Sequence, residues 1–275
     1  MAVGRAPLLP MARLPRLPDL LTTANLGCGT ASILLAAQGQ LTAACWLVFA
    51  GALFDLFDGL AARALGGGSA LGVQLDSLAD LVTFGVAPAF ALFVSATAVA
   101  GIHGTPLLPP GPTTSWPVGA AALVLVIASC WRLAKFNLDT RQTSGFLGLP
   151  TPSNGLFWVA LVLGANGTAV HPGPGHDALI GAARTMLGNP YAVLATALVL
   201  AALMLSELPL PSLKFKHKGW KGNGTILLLI GIGAVLVLLY GTLAVPLLVI
   251  IYLLSPLWGG ILHHRGSGNT EKMKH

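Results

Sequence analysis

Apolar runs of about 17 to 25 residues recur along almost the whole chain, and each is long enough to cross a hydrocarbon core of roughly 30 Å. Inside a bilayer the backbone finds no water to bond, so runs of this length are expected as helices. Composition agrees: 55% of the 275 residues are hydrophobic and 9% are charged, against about 25% charged in a soluble domain. The expected fold class is therefore all-α, a polytopic membrane helix bundle of about eight transmembrane helices.

The expected spans are 19–38, 41–65, 72–98, 117–138, 153–170, 189–206, 224–240 and 242–262. Asn154, Gly155, Asn166 and Gly167 interrupt the fifth, and Pro246 and Pro256 fall in the last. The chain then divides into an N-terminal segment (1–18), a core (19–206), a basic loop (207–223), two C-terminal helices (224–262) and a tail (263–275).

Basic residues orient the bundle, because short loops rich in Lys and Arg stay in the cytoplasm. Arg5, Arg13 and Arg16 precede the first span, and Arg63 ends the second. Arg132, Lys135 and Arg141 follow the fourth, Lys214, Lys216, Lys218 and Lys221 the sixth, and Arg265, Lys272 and Lys274 the eighth. The connections around 99–116 and 171–188 hold only Arg184, so fourteen of fifteen basic residues fall on one side. Both termini are accordingly expected in the cytoplasm, at the cell (inner) membrane.

The formal charge of +6 is then a topological signal, with attraction to anionic headgroups as a second effect. Nucleic-acid binding is not expected, since no soluble basic face is present to receive a duplex. The N-terminal stretch MAVGRAPLLPMARLPRLP has four prolines and no apolar core, unlike a cleaved signal. Cys28, Cys45 and Cys130 lie in apolar runs at unrelated spacings and read as buried thiols. His171 and His176 read as loop histidines and most of the six tryptophans as interfacial anchors.

Against this background FDLFDGLAARALGGGSALGVQLDSLAD, residues 54–80, is anomalous. Four of the nine acidic residues, Asp55, Asp58, Asp76 and Asp80, stand within 26 positions of otherwise apolar sequence. Ionisable groups in membrane helices are costly and usually mark function. At helical spacing Asp55, Asp58 and Ala62 share one face, and Gly72, Asp76 and Asp80 share another. The break at Gly66, Gly67, Gly68 and Ser69 lets the two helices run antiparallel with those faces opposed. Opposed carboxylates repel, and bound divalent cations relieve the repulsion. Hard oxygen donors suit Mg²⁺ or Mn²⁺, and two such ions can hold both oxygens of a phosphoryl displacement.

The pattern Asp55-x2-Asp58-Gly59-x2-Ala62-Arg63-x8-Gly72-x3-Asp76-x3-Asp80 resembles, at all eight specified positions, the signature of the CDP-alcohol phosphotransferases. TTANLGCGTAS (22–32), WRLAKFN (131–137), GFLGLPTP (145–152) and SLKFKHKGWKGN (212–223) are similar to the family's bacterial, membrane-embedded, serine-accepting branch. Lys135 stands where that branch more often has Arg.

The resemblance implies six core helices plus two at the C-terminus. It also implies transfer of a phosphatidyl group from CDP-diacylglycerol to the hydroxyl of L-serine, with phosphatidylserine and CMP as products. Asp55, Asp58, Asp76 and Asp80 would ligate two divalent cations, with Asp80 also the general base. Asn25, Gly59, Arg63 and Ser69 would contact CDP-diacylglycerol. Serine carries a carboxylate, so its pocket should contain a cation, and Arg132, Lys135 and Asn137 are the candidates. A homodimer is common in the family. Glycerol 3-phosphate or inositol as acceptor is the nearest alternative. A cation-coupled transporter is a more distant one, for which the chain lacks clearly repeated halves and mid-membrane acids.

Overall fold

The computed structural model describes residues 16–101, 116–138, 146–167, 175–210 and 224–254. Apart from one two-residue antiparallel pair of strands, β1 (Phe146–Leu147) with β2 (Pro209–Leu210), its regular structure is helical. Five described helices are long and apolar enough to cross a membrane, and a sixth span results if a bent pair is counted as one.

The first four follow the expected spans closely: α1 (Leu17–Ala37), α2 (Leu41–Ala64), the continuous run Ala70–Val99, and α5 (Trp116–Leu138). Their outward faces are apolar, with Leu34, Leu53, Leu123 and Ile127 all more than half exposed, as lipid contact requires. Gly39, at φ 78°, turns the chain between α1 and α2. Ser32 of α1 reaches across to donate to the carbonyl of Ala44 at 2.7 Å.

The Ala70–Val99 run is not uniform. It consists of α3 (Ala70–Asp80), a π-helical segment (Leu81–Val86) and α4 (Ala87–Val99). Pro88 explains part of this, because it has no N–H to return to the carbonyl of Phe84. That carbonyl faces α6 (Thr151–Ala165) at Gly155, where even a Cβ would come within 2.7 Å of it. Gly29 of α1 and Gly51 of α2 make similar room for Thr83, so three glycines let the widened turn sit among its neighbours.

Helix α6 is the centre of the bundle, with twelve of its fifteen residues buried. At about 1.5 Å per residue it is roughly 22 Å long, shorter than a full crossing. Asn154, which breaks the hydropathy of the fifth expected span, donates to the Met204 sulfur at 2.8 Å.

The outer connection 171–188, expected as loop, contains a helix, α7 (His176–Gly188), set at 95° to α8 (Pro190–Leu205). Asn189 makes the corner by accepting from the amides of Tyr191 and Ala192 at 3.1 and 3.2 Å, with Pro190 opening α8. Arg184, the exception to the basic-residue pattern, donates Nε–H to the carbonyl of Ala165 at 2.7 Å. There it neutralises the C-terminal end of the α6 dipole.

The GFLGLPTP motif docks on the other end of α8. Leu149 donates to the Leu203 carbonyl at 3.0 Å, and Gly148, at φ 72°, lies so close that a Cβ would meet the carbonyl of Ser206 at 2.6 Å. Helix α9 (Gly224–Tyr240) is followed by a 3₁₀ turn at Gly241–Leu243 and by helix over 244–254. Gly241 has φ 55°, and a Cβ on Gly233 would stand 3.5 Å from the Leu248 side chain. In a straight helix those residues would be about 22 Å apart, so the chain turns back near Gly241; residues 255–262 of the last expected span lie outside the described ones. Leu243 seats its side chain on Gly164 at the end of α6.

Candidate active site

The N-terminal end of α1, the C-terminal turns of α2 and the start of α3 meet at one end of the bundle. Opposite that end lie the α6 C-terminus and the Gly241–Leu243 turn. Positive φ at Gly66 (91°) and Gly67 (109°) reverses the chain between α2 and α3. Ser69 then caps α3 by accepting from the Gly72 amide at 2.9 Å. The glycine-rich break therefore does what its composition predicts, and the acidic faces of α2 and α3 are brought together.

Asp55, Asp76 and Asp80 each offer a carboxylate oxygen within 4.8 Å of the others. Asp80 is 7% exposed. Like charges at this spacing repel one another. Three hard oxygen donors at this spacing, drawn from two helices, fit a divalent cation such as Mg²⁺ or Mn²⁺.

Asp58 stands beside this trio and not within it. It is 6% exposed and accepts from the Thr22 hydroxyl at 2.6 Å. It also lines a cleft whose walls include Asp19 and Thr22 of α1, Gly59 and Ala62 of α2, and Ser69 and Gly72 at the start of α3. Asp76 lines the same cleft, so one carboxylate belongs to both the cleft and the trio. A phosphate group in the cleft would have a cation bound by the trio beside it. The glycines at 59, 67, 68 and 72 keep the walls low enough for a flat or bulky ligand.

The other expected donor contacts divide. Gly59 and Ser69 line the cleft. Arg63 is exposed one turn beyond Gly59, with its guanidinium 3.6 Å from the place a Gly59 Cβ would occupy. Asn25 does not face the cleft; it is wholly buried, and its side-chain amide donates to Asp80 at 3.1 Å.

Arg132, Lys135 and Asn137 do not share one environment. Arg132 is 5% exposed, lies 5.4 Å from the Phe136 ring and is within electrostatic reach of Tyr252 in the C-terminal hairpin. Lys135 is exposed. Asn137 donates to Ser77 at 2.8 Å, which ties the end of α5 to the turn of α3 that carries Asp76.

Arg16, Asp19, Thr22, Thr83 and Tyr252 were not expected at or near the site. Thr22 was legible in principle, since it lies three residues from Asn25 on the same face of α1. Tyr252 reaches Arg132 through tertiary packing, for which the sequence carries no local sign.

A profile described as CDP-alcohol phosphatidyltransferase matches residues 16–257. Over 157 residues the chain is 33% identical to a CDP-diacylglycerol--serine O-phosphatidyltransferase of Helicobacter pylori, a match covering 56% of this chain and 60% of that protein. It is 34% identical over 145 residues to the enzyme of the same name from Bacillus subtilis, covering 53% and 74%. It is 37% identical over 138 residues to an archaetidylserine synthase of Methanothermobacter thermautotrophicus, covering 50% and 53%. These matches thus span about half of this chain, and 60%, 74% and 53% of the three relatives' own lengths.

Proposed function

We propose, given that this chain belongs to the CDP-alcohol phosphatidyltransferase family, that it transfers a phosphatidyl group from CDP-diacylglycerol to the hydroxyl of L-serine, giving phosphatidylserine and CMP. The observation that carries this reading is Asp76, which joins a three-carboxylate cluster to a glycine-walled cleft. Serine as acceptor is favoured because the bacterial and archaeal relatives, which build different lipids, have serine in common in their names.

In this reading Asp55, Asp76 and Asp80, with Asp58 alongside, hold two divalent cations. These supply charge neutralisation for the diphosphate and for the oxygen on which CMP departs. Gly59 and Ser69 contact the donor in the cleft, and Arg63 at its rim attracts the diphosphate. The serine hydroxyl is a weak nucleophile at neutral pH, so a base must take its proton as it attacks. Asp80 is assigned that role in addition to its share in the cluster, with Asn25 holding one of its oxygens. The serine oxygen bonds to the phosphorus that carries diacylglycerol, and the bond from that phosphorus to the bridging diphosphate oxygen breaks. CMP leaves with the electron pair.

Arg132 is the cation we assign to the serine carboxylate, while Lys135, exposed, and Asn137, bonded to Ser77, stand in other surroundings. The hairpin at Gly241–Leu243 and the fourteen-to-one distribution of basic residues support about eight spans with both termini and the carboxylates on the cytoplasmic side. Arg184 fits this topology as a helix-end cation.

The test is a competition assay on the purified, detergent-solubilised protein with labelled CDP-diacylglycerol, Mn²⁺ and equal serine, glycerol 3-phosphate and inositol. Label should move to phosphatidylserine with matching CMP release. Transfer to either other acceptor in excess over serine would replace the substrate assignment, and no CMP release with any acceptor would remove the enzyme reading.

A further inference from the structure

We propose that Asn25 is the positioning residue for Asp80: its amide holds one carboxylate oxygen and so presents the other to Asp55 and Asp76. The inference rests on the metal-binding reading above and changes the role of Asn25 from a donor contact to a support for the cluster.

Four observations carry it. Asn25 is wholly buried, which leaves no surface for a ligand in the cleft, and its Nδ2 lies 3.1 Å from Asp80 Oδ1 across 55 residues of chain. Its backbone is gripped by the same segment, because Thr83, three residues beyond Asp80, donates its hydroxyl to the Asn25 carbonyl at 2.9 Å. The orientation of the amide is also fixed. Its Oδ1 points toward Gly51, 3.0 Å from where a Cβ would stand, and has no hydrogen-bond partner among the described residues. Turning the amide over would set that oxygen against the Asp80 carboxylate. Finally, Thr22, one turn earlier on α1, holds Asp58 in the same manner at 2.6 Å.

Helix α1 therefore aims two of the four signature carboxylates while contributing none of its own to the trio. Groups that orient metal ligands typically matter 10- to 100-fold in metal affinity or activity. The π segment places Thr83 where it can reach α1, and Gly29 and Gly51 leave room for it there.

The test uses the full chain in detergent with Mn²⁺ as the probe, read by electron paramagnetic resonance without substrates, and then by steady-state kinetics. Asn25→Ala should weaken Mn²⁺ binding by about 10- to 100-fold and lower kcat by a similar factor, with the KM for CDP-diacylglycerol changed less than about threefold. Asn25→Ala should add no further loss of Mn²⁺ affinity to Asp80→Ala, because the two act through one group. Thr83→Val, which keeps the shape and removes the grip on Asn25, should move Mn²⁺ affinity in the same direction by less, and it decides the matter if Asn25→Ala does not fold. Wild-type Mn²⁺ affinity in Asn25→Ala, with a raised donor KM, would return Asn25 to the donor site and overturn the inference. Losses that add in the double variant would overturn it as well. If the wild-type protein itself bound no Mn²⁺, the metal-binding reading would fail instead.

Discussion

The hydroxyl of Thr22 lies 2.6 Å from Asp58 Oδ2 and 3.0 Å from the carbonyl of Pro18. One hydroxyl has one proton, and the shorter, charge-assisted bond takes it. Asp58 is thereby held at the cleft wall, beside the three carboxylates that cluster.

Thr22→Val should release Asp58 while preserving the volume of the side chain. A hydrogen bond to a charged group contributes about 1.5–3 kcal/mol, so the KM for CDP-diacylglycerol should rise about 10- to 100-fold, with a smaller effect on serine. Steady-state kinetics varying each substrate in turn would check this. An unchanged donor KM would mean that Asp58 keeps its orientation without Thr22.

Gly155→Ala should be among the more damaging small substitutions in the chain, because its Cβ would come within 2.7 Å of the Phe84 carbonyl in the π segment. Overpacking of this kind costs about 1–3 kcal/mol, and the displaced segment adjoins Asp80, so activity should fall with stability. Gly119→Ala, with open space around it, is the control and should be neutral or slightly stabilising. Thermal unfolding in detergent separates the two.

Sidedness can be read by thiol labelling in a chain with Cys130 changed to Ser, because that thiol is exposed on α5 and not buried as its apolar run suggests. Leu65→Cys, beside the glycine-rich turn, should react with a membrane-impermeant reagent only after the cells are opened. Ala100→Cys, at the far end of the Ala70–Val99 run, should react in intact cells. The opposite pattern would invert the bundle and put the carboxylates outside.

Much of this architecture is visible in the sequence, for physical reasons. The ends of α1, α2 and α5 fall where apolar runs stop, because a bilayer enforces helix and hydropathy together. The carboxylate pattern reports its chemistry because charge in such helices is rarely incidental. Helix α7 is hidden because HPGPG precedes it and because its polar positions resemble loop. The π segment is hidden as well; Pro88 hints at a disturbed turn, but the widening depends on glycines from three other helices. That Asp58 leaves the trio for Thr22, and that Asn25 supports Asp80, are facts of packing between segments 36 and 55 residues apart. No local pattern encodes them.

The central claim is that the clustered carboxylates serve to hold divalent cations against the donor's diphosphate. Serine-dependent CMP release should vanish when the purified protein is exhaustively chelated and return on addition of Mg²⁺ or Mn²⁺. In Asp76→Asn, whose carboxylate joins cluster and cleft, it should not return at any tested concentration. Undiminished release after chelation, or full metal-restored release by Asp76→Asn, would contradict the account.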